Sequence, residues 1–408
     1  MTNMKFINGG VCAAKGFKAA GIHCGVKTNH VEKKDVALIV ADVECNAAAV
    51  YTTNIVKAAP LYVTKEHLAN GKARAIIANS GNANACAPED MGNAKRMCKA
   101  AAAGLGISES DIAVASTGVI GQRLRVEVIE DGIPALTELL SEDGSDAAAS
   151  AIMTTDTVKK ECAIEFNVGG KTAKLGGISK GSGMIHPNMG TMLCFVTTDC
   201  AISTEMLDKA LKVVTKTSFN RISVDGDTST NDMCVVLASG HAGNAEITAE
   251  GADYEAFKAA LEAVCVTLAK EMASDGEGAQ HLITCTVSGA ASVEKAETIA
   301  KSVISSTLFK AAIFGNDANW GRVLCAMGYS GEEFDPDKVA VLFKSTAGSV
   351  DVCENGRGLP FDEELAAKVL SEHDVEVLVW LGDGECECTC WGCDITYDYI
   401  KINGDYRT

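Results

Sequence analysis

The chain alternates short apolar runs with longer stretches in which apolar residues recur every three or four positions. Residues 36–43 and 74–79 are compact apolar runs of strand length. Residues 88–105 carry a helical repeat, with Pro88 at the start and Gly104 and Gly106 near the end, where helix termini favour them. The run 111–116 predicts a short strand leading into Thr117-Gly118. Residues 126–140 predict a helix that Gly132 and Pro134 should kink or split. Ser203 is placed to cap a helix reaching about Thr217, with Met206, Leu207, Ala210, Leu211 and Val214 on one face. Later helices are predicted over 254–273, 293–306 and 363–370, and strands over 281–287, 338–343, 375–381 and 385–395. This mixture predicts an α/β (α+β) layered fold.

One stretch breaks the order. Residues 176–190 read GGISKGSGMIHPNMG, with glycines at 176, 177, 181, 183 and 190. Neither a 3.6 nor a 2.0 period survives there, so an irregular loop is predicted, and such a loop inside a domain is commonly functional. A buried strand, MLCFVTT, follows at once over 192–198.

Composition narrows the function classes. A chain of 408 residues suggests two or three packing units. The formal charge of −18 argues against nucleic acid or an anionic membrane as a partner, since both call for a basic face. The count of 17 cysteines is odd and their spacing irregular, and residues 1–10 hold no apolar leader core. Reduced thiols in a cytoplasmic setting are therefore expected rather than a disulfide framework. No apolar run approaches the ~18 residues of a membrane span.

The chemistry gathers at Gly190-Thr191, where a glycine-rich loop delivers a hydroxyl to the start of a buried strand. Glycine lets its own carbonyl be approached closely. Thr191 Oγ can attack that carbonyl, and hydrolysis of the resulting ester would free a threonine with its own α-amine. A free α-amine has a reference pKa of about 7.7–8.0, so it can serve as base for its own hydroxyl. None of the 7 histidines lies in a recognisable Ser-His or Cys-His signature, and no nucleophile elbow, P-loop or H-E-x-x-H is present. A Gly-Thr pair that simply opens a strand is the plain alternative.

The blocks around this pair weigh against that alternative. KGSGMIHPNMGTMLCFVTTD (180–199) resembles the cleavage segment of the ornithine acetyltransferase family, with an approximate pattern of K-G-x-G-M-I-x-P-x-M-A-T-M-L. Further matching blocks are NSGNANAC (79–86), STGVIG (116–121), IMTTDT (152–157), SFNRISVDGDTSTND (218–232), GNDANWGR (315–322) and WGCDITYDYIKINGDYRT (391–408). One position departs from the pattern: Gly190 stands where the family has Ala. The resemblance covers essentially the whole chain. It implies an N-terminal-nucleophile-like fold with a smaller C-terminal α/β lobe. It also implies self-cleavage into an α chain, 1–190, and a β chain, 191–408.

The implied reaction moves acetyl from N2-acetylornithine to glutamate by a ping-pong route through acetyl-Thr191, within arginine biosynthesis. Some members also take acetyl from acetyl-CoA; no other cofactor and no metal is implied. The resemblance assigns the oxyanion donors to Thr117 and Gly118. It assigns substrate binding to Thr154 (or Thr155, one step away), Lys180, Thr191, Glu277, Asn403 and Thr408. Lys180 suits an α-carboxylate and Glu277 an ornithine ammonium. The plain alternatives are a strand-ending turn, solvated loop charges and a frayed tail. Two copies of each fragment are expected to associate.

Two motifs are read conservatively. Cys386, Cys388, Cys390 and Cys393 invite a metal, yet a period of two puts the first three on one strand face, where small apolar residues belong. Asp225, Asp227 and Asp232 lack the full calcium-loop spacing and are expected to order a turn. The competing functions are an amidase or aminopeptidase with the same nucleophile, and an uncleaved regulatory or metal-binding protein.

Overall fold

A computed structural model describes residues 4–28, 30–186 and 192–405. Gly190, Thr191 and Thr408 lie outside the described residues. The chain divides into two compact units. The first comprises Met1–Gly181, Pro187–Asn220 and Thr228–Met272, and the second Ser182–His186, Arg221–Asp227 and Ala273–Thr408.

In chain order the strands begin with β1 (Met4–Ile7), β2 (Phe17–Ile22), β3 (Val36–Tyr51), β4 (Lys72–Asn82), β5 (Ile112–Val119), β6 (Lys160–Val168), β7 (Lys171–Lys180) and β8 (Leu193–Thr198). They continue with β9 (Ile222–Ser223), β10 (Met233–Ala238), β11 (Leu282–Ala290), β12 (Ala340–Ser345), β13 (Gly348–Glu354), β14 (Arg357–Gly358), β15 (Asp374–Trp380) and β16 (Cys386–Cys393).

The first unit is built on a 9-stranded sheet in the order β1-β6-β7-β8-β10-β3-β4-β5, with β2 pairing β3. Its central strands read as unbroken apolar runs because both faces are covered. Successive residues alternate between two cores. Val36 and Leu38 of β3, Ala75 and Ile77 of β4, and Ile112 and Val114 of β5 pack with the helices Ala59–His67, Asp90–Leu105 and Val126–Glu138. Ala37, Ile39, Ile76, Ala78, Ala113 and Ala115 face the other way, toward the helix Ser145–Ile152.

Most predicted elements are present, within a few residues at their ends. Ser203 caps the helix Thr204–Thr217 by accepting from Met206 N–H, and the five expected residues are buried. The helix Val126–Glu138 is not split. A Cβ at residue 132 would lie 2.3 Å from Cys24 Sγ, so the glycine admits that contact. Pro134 sits on the exposed face, where water can serve the carbonyl it leaves without a donor.

The loop predicted over 176–190 needs correction at its start. Residues through Lys180 complete β7 and are buried in the sheet. A Cβ on Gly176 would meet Gly10 O at 2.1 Å, and one on Gly177 would meet Leu268 Cδ1 at 3.1 Å. These glycines mark close approach to a strand, not the absence of one.

The second, smaller unit carries a 7-stranded sheet, β14-β13-β12-β15-β11-β16-β9. Cys388 and Cys390 are buried in its core with Cys285, which lies opposite Cys390. Among the described residues no group of three or more His, Cys, Asp or Glu side chains converges as a metal set. The C-terminal segment forms a helix, Tyr397–Asp405, where the sequence pattern predicts no element. Among the described residues no helix is long and apolar enough to cross a membrane.

Candidate active site

In the first unit, Thr117 and Gly118 close β5 where it runs parallel to β4, with Gly118 opposite Gly81. Gly118 has φ +128°, and a Cβ there would lie 2.4 Å from the carbonyl carbon of Gly81. Only glycine fits this turn. Side-chain amides fix the backbone around it. Asn231 Nδ2 donates to Ser116 O at 2.9 Å and to Ala83 O at 2.6 Å, while Ser116 Oγ donates to Asn79 Oδ1 at 2.6 Å. Asn79 Nδ2 donates to Asn82 O at 2.9 Å, and Asn84 N–H to Asn82 Oδ1 at 2.8 Å. These residues come from three separate sequence blocks, and their convergence explains why each is rich in Asn, Ser and Gly. A turn this closely held can present backbone N–H groups without reorganising.

Thr154 and Lys180 meet around Asp156. Its carboxylate accepts from Thr154 N–H at 2.9 Å, Gly181 N–H at 2.7 Å and Lys160 Nζ at 2.8 Å, with Lys180 Nζ at 3.8 Å. Burial pushes the Asp156 carboxyl up, but Lys180 and Lys160 together with the hydrogen bonds prevail and hold it well below the usual carboxylate range. The carboxylate thus stays ionised and fixes both the end of β7 and the 154–156 segment. Lys180 is nearly buried, with its charge set against the Asp156 carboxylate.

The chain enters β8 between β7 and β10. Leu193 pairs with Lys180 on one side and Met233 on the other, and Met233 N–H donates to Met192 O at 2.9 Å. Beside Met192 lies Asp232, almost fully buried, whose Oδ2 has no hydrogen-bond partner among the described residues. Burial drives its carboxyl well above the usual range, against the pull of Ser229, the Met192 N–H, Thr52 and Lys180. Its neighbour Asn231 is the residue bonded to Ser116. The start of β8 and the Thr117-Gly118 turn are therefore tied together through consecutive residues of one segment.

In the second unit, Asn403 Nδ2 donates to Glu277 Oε2 at 2.8 Å. Glu277 N–H donates to Ser182 O at 2.9 Å, and a Cβ on Gly183 would lie 2.3 Å from Glu277 Cδ. The C-terminal helix is moored to this loop. Thr396 Oγ1 donates to Gly278 O at 2.7 Å, and a Cβ on Gly278 would lie 2.7 Å from Tyr399 N. Asp225 orders the adjoining segment, accepting from Met184 N–H at 2.6 Å, Ile185 N–H at 2.8 Å and Asp227 N–H at 3.3 Å. That is the turn-ordering expected of the aspartates in DGD.

The structure thus joins Thr154 with Lys180, and Glu277 with Asn403. Thr155, the alternative to Thr154, lies in the same segment. Sequence reasoning missed Asp156, Lys160 and Asn231, and it read Asp232 as a turn residue where the structure buries it as an acid beside Met192. Asp156 was visible in TTD and Asp232 in STND; what the sequence could not supply was the burial that makes an aspartate an organiser.

The sequence profile of the ArgJ family matches residues 18–408. An "Arginine biosynthesis bifunctional protein ArgJ" from Symbiobacterium thermophilum is 52% identical over 406 residues, 99% of this chain and 100% of that protein. A protein of the same description from Geobacillus kaustophilus is 47% identical over 403 residues, 98% of this chain and 97% of its own. An ornithine acetyltransferase from Mycobacterium tuberculosis, solved in complex with ornithine, is 35% identical. It covers 46% of this chain and 100% of its own, with a TM-score of 0.43. With the profile spanning nearly the whole sequence and relatives matched end to end, the chain belongs to the ArgJ family.

Proposed function

We propose that this acyltransferase carries acetyl from N2-acetylornithine to glutamate through an ester on Thr191, after cutting itself between Gly190 and Thr191. The observation that carries the reading is the tie between the entry to β8 and the Thr117-Gly118 turn. Asn231 bonds to Ser116 O, and two residues on, Met233 bonds to Met192 O. The residue next to Met192 in sequence is Thr191.

In this reading the α-amine takes the proton of Thr191 Oγ as the oxygen attacks the acetyl carbon. The Thr117 and Gly118 N–H groups hold the oxyanion, each worth about 3–4 kcal/mol. The intermediate collapses by breaking the amide C–N bond. The proton passes to the departing ornithine nitrogen, leaving acetyl-Thr191. Glutamate then attacks through its neutral amine, returns a proton to the threonine oxygen and leaves as N-acetylglutamate. In this reading Thr154, Lys180, Thr191, Glu277, Asn403 and Thr408 are the residues that bind substrate. The description of the relatives as bifunctional supports acetyl-CoA as a second donor to the same threonine.

Cleavage leaves two fragments, 1–190 and 191–408, that have good reason to stay together. β8 of the second fragment is hydrogen-bonded to β7 of the first along its whole length. Two copies of each fragment are expected in the assembled enzyme, working in the cytoplasm.

The test is to incubate the protein with N-acetylornithine, with and without glutamate. Ornithine release should require glutamate and be matched by N-acetylglutamate. Equal release in both tubes would mean that the acetyl group passes to water, and the amidase reading would replace this one.

A further inference from the structure

Lys27 lies outside every block that carries the family resemblance, yet it is wedged into the same unit as the Thr117-Gly118 turn. Its Nζ donates to Met153 O at 2.8 Å and to Lys34 O at 2.8 Å, and its own N–H donates to Asp35 Oδ2 at 3.0 Å. Its stem packs on Gly81, where a Cβ would lie 2.8 Å from Lys27 Cγ. Gly81 is the residue paired with Gly118. Met153 immediately precedes Thr154. One side chain therefore touches the back of the oxyanion turn and grips the segment that leads to Thr154 and Asp156. Ser80 adds a second grip on that segment, with Oγ donating to Ala151 O at 2.6 Å.

We propose that Lys27 is a positioning residue of the acyl-transfer site, holding the 154–156 segment in register with the Gly81–Gly118 turn through its ammonium group. The proposal rests on the acetyl-transfer reading above. Four charged groups act on the ammonium: Asp35 and Asp156 hold the charge, while Lys33 and Lys180 oppose it. Burial outweighs the two carboxylates and brings the lysine down to about 8. The ammonium bonds to the two carbonyls are charge-assisted and so roughly twice as strong as those of a neutral amine. The grip should slacken as the proton leaves, and transfer should fall with it. A lysine held only by packing would give no such signature.

The experiment measures kcat/KM for acetyl transfer from pH 6.5 to 9.5 in the wild type, Lys27→Met and Lys27→Arg. The wild type should follow a bell that peaks near pH 8, rising as the α-amine loses its proton and falling several-fold above that as Lys27 loses its own. Lys27→Met should be down about tenfold at pH 7.5 and lack the falling limb. Lys27→Arg, which keeps its charge throughout, should lack the limb at higher activity, and it decides the matter should the methionine variant fail to fold. Wild-type kcat/KM in Lys27→Met, or a falling limb that persists in either variant, would overturn the proposal. A wild type that transfers no acetyl at any pH defeats the acetyl-transfer reading itself, a separate outcome.

Discussion

Single side chains in this protein work by being held, and the holding is done by residues of little chemical distinction. Lys180 owes its position to Asp156, an acid kept ionised by two lysines and by backbone donors. Glu277 owes its position to the missing side chain of Gly183. That dependence is testable. Gly183→Ala places a methyl carbon 2.3 Å from Glu277 Cδ, so the carboxylate must swing away. If Glu277 binds substrate equally in the ground and transition states, KM for N-acetylornithine should rise about tenfold with little change in kcat. Steady-state kinetics decide it: an unchanged KM with a collapsed kcat would assign the carboxylate to chemistry instead of binding.

At the scale of elements, the sequence was most legible where one physical rule governed. The helix Thr204–Thr217 follows from a serine cap and a single apolar face, and its buried residues are those its period names. β3, β4 and β5 follow from apolar runs buried on both faces. Legibility failed where glycine carried two meanings. Gly176 and Gly177 read as loop but lie in β7, because the sheet is covered so closely that a Cβ would strike Gly10 or Leu268. The tail Tyr397–Asp405 is a helix because Thr396 and Gly278 moor it, a tertiary cause that no local pattern announces. The candidate site residues were named through the family blocks alone; charge and spacing would have left Lys180 and Glu277 as solvated loop charges.

The helix Ala252–Ser274 illustrates a cost at this scale. Glu271 near its end has a buried Oε2 with no hydrogen-bond partner among the described residues. Burial lifts its carboxyl from 4.5 to about 7, with Glu161 adding to the rise and Lys160 opposing it. The folded chain therefore holds a proton that the unfolded chain releases. The stability this contributes is fully present below pH 4.5 and is lost as pH rises through 7. Glu271→Gln stays neutral at every pH. It should gain about 1–2 kcal/mol over the wild type at pH 8, after allowing for partial exposure, and little at pH 4.5. Chemical denaturation at the two pH values checks this; equal differences at both would contradict it.

At the scale of the whole molecule, the units and the proposed fragments divide the chain differently. Each unit draws on residues from both sides of the 190–191 bond. The large sheet takes β1 to β7 from one side, and β8 and β10 from the other. A cut there would free an amine at the entry to β8 while leaving the sheet pairing between Lys180 and Leu193 in place. Gly190, where the family pattern has alanine, would set how fast the cut occurs. Everything in the functional account depends on that bond. Denaturing mass spectrometry of the wild type beside Thr191→Ala tests it most directly. The account predicts two fragments, 1–190 and 191–408, from the wild type and one uncut chain from the variant. A wild type that remains a single chain while still transferring acetyl to glutamate would contradict it.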